Sequence, residues 1–68
     1  MTDIANIIAQ IEDEWDCVMQ KGDALFIRDN QETVYTVLKL DEQFIVTNCK
    51  LCMIWVLKDI EAVINIIR

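Results

Sequence analysis

The segment from Thr33 to Asn48, TVYTVLKLDEQFIVTN, constrains the fold of this chain more than any other stretch. Two runs rich in β-branched and aromatic residues flank the polar residues Asp41, Glu42 and Gln43. β-branched and aromatic residues favour strands, and a short polar break between two such runs is typical of a β-hairpin. The segment therefore predicts a hairpin, and the rest of the chain is interpreted around it.

The spacing of apolar residues changes along the chain. Residues 3–19 carry apolar side chains at helical spacing, which predicts an amphipathic helix, and Gly22 is a natural stop for that helix. From residue 24 onward the period becomes two, which is typical of strands. We expect five strands, at Ala24–Arg28, Thr33–Leu40, Phe44–Asn48, Leu51–Leu57 and, after one helical turn at residues 58–61, a short last one near Ala62–Ile67.

The C-terminal third admits a second interpretation, in which residues 50–67 form one helix in an α-β-β-β-α arrangement. Leu51, Ile54 and Leu57 can share a helical stripe with Val63 and Ile67. The many β-branched and aromatic residues of this region favour strands instead.

Length and hydrophobicity bear on the number of domains and of partners. With 68 residues, the chain is expected to form a single domain, 1–68, with the helix in 1–21 and the strands in 22–68. Its 54% hydrophobic residues are more than so small a volume hides completely. We therefore expect an exposed apolar patch that a second chain covers, in a homo-oligomer or with an obligate partner.

The formal net charge is −6, and residues 1–23 hold six acids against Lys21 alone. A net acidic chain without a basic patch is a poor candidate for nucleic-acid binding, and it suits a partner with a basic surface. Glu12, Asp13, Glu14 and Asp16 crowd the C-terminal half of the predicted helix, where the helix dipole disfavours negative charge.

The sequence also indicates a compartment. The N-terminus MTDIANII has no basic segment and no cleavage site of a secretory signal, and charged residues interrupt every apolar run before it reaches the roughly 20 residues of a spanning helix. Three cysteines are too few for a disulfide framework. These features predict a protein of the reducing cytoplasm, with no membrane segment.

Few residues are candidates for chemistry. Cys49 and Cys52 form a C-x-x-C, but the chain has no His, and Cys17 is the only other thiol, so a four-ligand zinc site is not expected. We interpret Cys49 as a turn residue and Cys52 as a small packed hydrophobe. Without Ser or His, and with a single Gly, the chain has neither a nucleophilic triad nor a phosphate loop. We expect no cofactor, no metal and no enzymatic activity.

Three segments, GDALFIRD, TVYTVLKLDEQFIVTN and IWVLKDIEAV, together resemble the small SH3-like or KOW-like barrels. The resemblance covers about residues 22–64 and implies a strongly bent, five-stranded antiparallel barrel with a binding role. The chain lacks the basic loop residues of the nucleic-acid-binding members. A short acidic chain with an N-terminal helix and such a barrel is also similar to small accessory proteins of bacteriophages.

The sequence thus predicts an α+β fold, an N-terminal helix followed by an SH3-like barrel, that works by binding another protein. The leading hypothesis is a phage or mobile-element accessory protein that inhibits or redirects a host protein in the host cytoplasm. The alternatives are a structural homo-oligomerising subunit and, third, a nucleic-acid-binding barrel. The residues expected at the partner surface are Glu12, Asp13, Trp15, Asp16 and Phe26.

Overall fold

The computed structural model describes residues 3–68, which form a helix, a five-stranded antiparallel sheet and a second helix. The elements are α1 (Asp3–Ile11), β1 (Cys17–Lys21), β2 (Ala24–Asp29), β3 (Glu32–Leu40), β4 (Gln43–Asn48), β5 (Met53–Leu57) and α2 (Ile60–Ile67). The strands lie side by side in chain order. The predicted α+β class, the N-terminal helix and a five-stranded antiparallel sheet are confirmed, although β1 takes the place of the last predicted strand.

Tight turns join the first four strands. The β3–β4 hairpin predicted from Thr33–Asn48 is present, with Leu40 paired to Gln43 across a two-residue turn. Its residue Asp41 has φ 56°, and Gly22, in the turn between β1 and β2, has φ 61°. Two-residue hairpins need a positive φ at such positions, which Gly and Asp accept more readily than β-branched residues do. Gly22 therefore reverses the chain between strands and does not end a helix.

The sheet is open, so the predicted barrel is wrong. In the order β1-β2-β3-β4-β5, β1 and β5 are the two edges and do not pair with each other. A barrel closes so that its inner face is buried, whereas here both helices bury that face from outside. The two helices thus bury one face of the sheet, and the sheet itself stays open.

The N-terminal helix is shorter than predicted, because it ends at Ile11 and not near residue 19 or 21. Residues Cys17–Lys21 form β1, in which Val18 pairs with Ile27 and Met19 with Phe26. The acids that follow Ile11 would lie in the last turns of a longer helix, where the dipole disfavours them. Pairing with β2 offers the backbone of this segment an alternative set of hydrogen bonds.

The last predicted strand, near Ala62–Ile67, is wrong, because this segment is α2. Asp59 caps the helix, since its side chain accepts a hydrogen bond of 3.2 Å from the N–H of Glu61. Buried Val63, Ile64 and Ile67 form one stripe, and the free energy of burying it outweighs the preference of β-branched residues for strands. The interpretation of residues 50–67 as one helix was correct for the second half only.

Both helices cover the same face of the sheet, which we call the inner face. Its core consists of side chains from both helices and the three central strands: Ile4, Ile7, Ile11, Leu25, Ile27, Val37, Phe44, Val46, Val63, Ile64 and Ile67. The apolar residues on both sides of the strands predict that α1 covers part of the side opposite this core, but α1 lies on the core side. Within residues 3–68, neither helix is long and apolar enough to cross a membrane.

Two aromatic residues tie the sheet to the helices. The Tyr35 hydroxyl donates a hydrogen bond of 3.2 Å to the carbonyl oxygen of Ile66, at the end of α2 where carbonyls lack helical partners. The Trp15 ring meets the Tyr35 ring edge-on, with 5.7 Å between centroids and an interplanar angle of 81°. Such pairs contribute about 0.5–1.5 kcal/mol beyond the area that they bury.

Candidate interaction surface

Within residues 3–68, no element covers the sheet face opposite the helices. The strand register places two cross-strand rows on it: Met19, Phe26, Thr36, Thr47 and Ile54 in the first, and Lys21, Ala24, Leu38, Ile45 and Val56 in the second. We call these ten residues the open face. Successive side chains of a strand point to opposite sides, so none of the ten contributes to the inner face.

Exposed apolar side chains concentrate on this surface. Seven large hydrophobic residues are exposed within residues 3–68. Four belong to the open face, with exposures of 50% for Met19, 42% for Leu38, 67% for Ile54 and 59% for Val56. A fifth, Leu40, lies two residues beyond Leu38 on the same side of β3. Contiguous apolar patches on soluble proteins commonly mark interaction sites, whereas single exposed hydrophobics do not.

The charges of the chain avoid this surface. The sequence holds 12 acids, and none of them belongs to the open face, whose one charged residue is Lys21. The acids lie on the helices, in the loops and turns, and at strand ends. The open face therefore has an uncharged centre with acidic loops around it, which is the layout of a protein interface with an apolar core and a polar rim.

The predicted acidic patch lies on a loop and not on a helix. Glu12, Asp13 and Asp16 are exposed between α1 and β1, and they make no ion pair with any residue in the range 3–68. Their neighbour Glu14 is paired instead, because its Oε1 lies 3.2 Å from Nε of Arg68. The structure thus keeps the three predicted acids available to a partner and uses the fourth to hold the C-terminus.

The two predicted aromatic residues lie on opposite sides of the sheet. Phe26 belongs to the open face and is half-buried there. Trp15 packs against the core beside Tyr35, and its buried Nε1 has no hydrogen-bond acceptor within residues 3–68. Trp15 is therefore part of the cover over the inner face, and it does not share a surface with Phe26.

Sequence reasoning missed most of the open face, although the signal was present. Alternation along β2 and β5 already showed apolar residues on both sides of the strands, as in Leu25 and Ile27 against Ala24 and Phe26. From this alternation we expected α1 to cover part of the second side and another chain to cover the rest. The structure puts α1 and α2 together on the inner face, so the second side stays open.

The C-x-x-C lies in the turn between β4 and β5. Cys49 and Cys52 are both exposed and unpaired, so the expectation of a packed Cys52 is wrong. The turn is organised by buried Asn48, whose Oδ1 accepts hydrogen bonds of 3.0 Å from the N–H groups of Lys50 and Leu51. No group of three or more metal-ligating side chains occurs within residues 3–68.

A charged depression of about 330 Å³ lies near the tip of the β3–β4 hairpin, between Asp3, Lys39 and Asp59. Three of its charged residues serve the fold. The Lys39 ammonium donates a hydrogen bond to the Asp3 carboxylate, which raises the pKa of Lys39 above its ordinary 10.5. Asp59 caps α2. The other charged lining residues make no ion pair within residues 3–68: Asp41, Glu42 and Lys58.

Comparison with known proteins yields no relative: no family model matches the chain, and no curated protein or solved structure matches it. The open face and the acidic loop at residues 12–16 are therefore the two surfaces considered for function.

Proposed function

We propose that this chain is a non-enzymatic protein-binding module whose binding surface is the open face. The main support for this proposal is the pair of cross-strand rows, which hold four of the exposed large hydrophobic residues and no acid. Exposing these side chains to water is unfavourable by about 25 cal/mol per Å² of apolar area. A partner that covers them recovers this free energy, which is the main source of affinity at apolar interfaces.

The proposal extends to the kind of partner and to its surroundings. An apolar sheet face of this kind suits another folded protein, since small molecules bind in concave sites. The three exposed free thiols favour action in a reducing cytoplasm. The lack of Ser and His in the sequence supports a role without catalysis.

Site-specific photo-cross-linking in the source cell tests this proposal. A photoreactive phenylalanine analogue replaces Leu38 or Val56, two exposed residues of the open face on different strands. The matched control carries the analogue at Asn65, which is exposed on α2 in the helical layer. We expect a discrete protein adduct from Leu38 and Val56 and none from Asn65.

The adduct partner is then identified by mass, purified and mixed with the chain. Leu38→Lys should weaken this reconstituted binding at least about tenfold, because a buried unpaired charge is costly. Asn65→Lys adds the same charge outside the surface and should leave the affinity unchanged. Absence of an adduct from both open-face positions, in a chain that is folded by circular dichroism, would refute the proposal.

A second candidate function uses the acidic loop. Glu12, Asp13 and Asp16 are exposed and unpaired within the described part of the chain, whereas Glu14 is held by Arg68. We propose that these three acids bind a basic surface of a host protein, as expected of a phage-type inhibitor. Like-charged acids grouped on one loop attract a basic partner and speed association at low salt.

Charge reversal separates the two candidate surfaces. With the cross-linked partner as probe, replacing Glu12, Asp13 and Asp16 by Lys should slow association and remove its salt dependence. The control replaces Asp29, Glu32 and Glu61, three acids elsewhere in the chain, by Lys. An association rate equal in the two triple variants at low salt would exclude the acidic loop as a binding site.

A further inference from the structure

We infer that the occupant of the open face is a second copy of this chain, so that two sheets stack face to face with the helices outside. This inference rests on the proposed function and names the partner. It would give a four-layer dimer, helices–sheet–sheet–helices.

The shape of the open face suits a copy of itself. Each of its two rows runs across all five strands, so the surface is as wide as the sheet. Two sheets commonly stack with their strands about 30° apart and their inner side chains interdigitated in a layer about 10 Å thick. A two-fold axis between the sheets presents the same patch on both copies.

The charge distribution permits self-association. Two copies of a chain with net charge −6 repel each other unless their acids stay apart. None of the 12 acids belongs to the open face, so stacking brings together only apolar and uncharged polar residues at its centre. A partner with a basic surface would find no acid on this face to pair with. The distribution therefore favours a second copy over a basic partner at this surface.

The size of the open face sets the expected affinity of the dimer. Strands about 4.8 Å apart with a rise of about 3.4 Å per residue make the five-stranded face roughly 20 Å by 17 Å. Stacking two such faces, with their rims, buries on the order of 1,000 Å² in total, close to the lower limit for a specific interface. We expect a dimer with a dissociation constant on the order of micromolar.

The exposed edge of β5 is the competing route to a dimer. This strand, Met53–Leu57, carries no charge and no Pro, so its edge lacks the usual protection against pairing with another strand. Edge pairing would leave most of the open face in water. Stacking covers Ile54 and Val56, the two most exposed large hydrophobic residues of the open face. The two arrangements differ in which substitutions dissociate them.

Analytical ultracentrifugation of the purified chain tests the inference. Between about 1 µM and about 1 mM, a range that brackets the expected constant, the mass should rise from 7.9 kDa toward twice that value. Leu38→Lys, at the centre of the open face, should raise the dissociation constant at least about tenfold. Leu51→Lys makes the same change at an exposed turn residue, and Asn65→Lys adds the charge on α2; both should still dimerise.

The ultracentrifugation results distinguish stacking from edge pairing and from a monomer. A wild-type chain that remains monomeric at about 1 mM overturns the inference, and the proposed function then stands or falls by cross-linking to a different protein. A dimer that Leu38→Lys leaves intact indicates edge pairing through β5 and also overturns stacking. Circular dichroism of every variant ensures that a lost dimer does not reflect a lost fold.

Native cysteines provide a second measurement without mutation. Cys17 lies on the open-face side of β1, two residues before Met19, whereas Cys49 and Cys52 lie in the β4–β5 turn. In the stacked dimer, alkylation of Cys17 by N-ethylmaleimide should slow as protein concentration rises, while the two turn cysteines react at a constant rate. Equal concentration dependence of all three thiols would contradict stacking.

Discussion

The two faces of the sheet differ more in what covers them than in the residues they present. The inner face places Leu25, Ile27 and Val46 against both helices, and all three are fully buried. The open face places Leu38, Ile45 and Val56 on the same strands or their neighbours, with Leu38 and Val56 exposed. Apolar residues on both sides of a strand are typical of sheets that are covered on both faces, whereas the two short helices of this chain cover one face.

A matched pair of leucine truncations tests this difference most directly. Leu25→Ala removes a fully buried side chain from the inner face and should lower the free energy of unfolding by about 3 kcal/mol, because it leaves a cavity. Leu38→Ala makes the same change at a residue 42% exposed and should cost under about 1 kcal/mol in the monomer. Urea unfolding at low protein concentration measures both, and equal losses would contradict the assignment of the two faces.

Tyr35→Phe should have the next largest effect. It removes the hydroxyl that donates to the Ile66 carbonyl and leaves the ring contact with Trp15 in place. The expected loss is about 1 kcal/mol, the usual net contribution of one hydrogen bond. Thr47→Val is the control on the open face, where a hydroxyl is replaced by a methyl group without loss of core packing. A destabilisation by Thr47→Val as large as that by Tyr35→Phe would show that the open face also carries structural hydrogen bonds.

Asp59→Ala tests how firmly α2 is held over the inner face. The Asp59 side chain accepts a hydrogen bond from the N–H of Glu61, and its loss should cost about 0.5 to 1 kcal/mol. Asp59→Asn keeps an acceptor at the cap and should restore most of the stability. Chemical denaturation of the three proteins measures this, and a destabilisation shared by Asn and Ala would exclude the cap as the cause.

The smallest expected effect concerns alkaline pH. The hydrogen bond to Asp3 raises the pKa of Lys39 in the folded state above its ordinary 10.5. The contribution of this pair is therefore fully present below pH 10.5 and is lost as pH rises through the raised pKa. Lys39→Met should be less stable than the wild type below pH 10.5, and the difference in unfolding free energy should narrow as pH rises through the raised pKa of Lys39. Unfolding curves of both proteins at several pH values measure this difference, and a constant difference would contradict the pairing.

The strands of the centre were predictable because their signals are local. The β3–β4 hairpin was predicted as Thr33–Asn48 and observed as Glu32–Leu40 joined to Gln43–Asn48. β2 was predicted at Ala24–Arg28 and observed at Ala24–Asp29. Period-two alternation and polar turns are properties of neighbouring residues, so they survive in the tertiary structure.

The two ends of the chain were mispredicted because their signals conflict. Trp15, Val18 and Met19 continue the helical spacing of α1, yet Val18 and Met19 gain more by pairing with β2 than by extending a helix past an acidic stretch. At the C-terminus, β-branched residues favoured a strand, but the Asp59 cap and the stripe of Val63, Ile64 and Ile67 produced α2. Tertiary burial outweighed local propensity there.

Some residues of the candidate site were also predictable from local sequence, and one was not. The exposed acids Glu12, Asp13 and Asp16 were recognisable from charge alone, and Phe26, also expected at the partner surface, lies on the open face. Trp15 was expected at the same surface as Phe26, but it packs beside Tyr35, a residue twenty positions away in the chain. Whether these residues bind a partner stays a prediction.

The sequence by itself determined that the central strands are apolar on both sides, because alternation is a property of consecutive residues. It also determined that the net charge is acidic, whereas the structure showed that Gly22 turns the chain between β1 and β2. Only the tertiary structure decided that α1 and α2 share one face and that the sheet stays open. Both features depend on the packing of residues far apart in the chain, such as Ile4 and Ile67, which lie in one core. This packing leaves the rows from Met19 to Ile54 and from Lys21 to Val56 uncovered within residues 3–68, and we propose that a partner binds there.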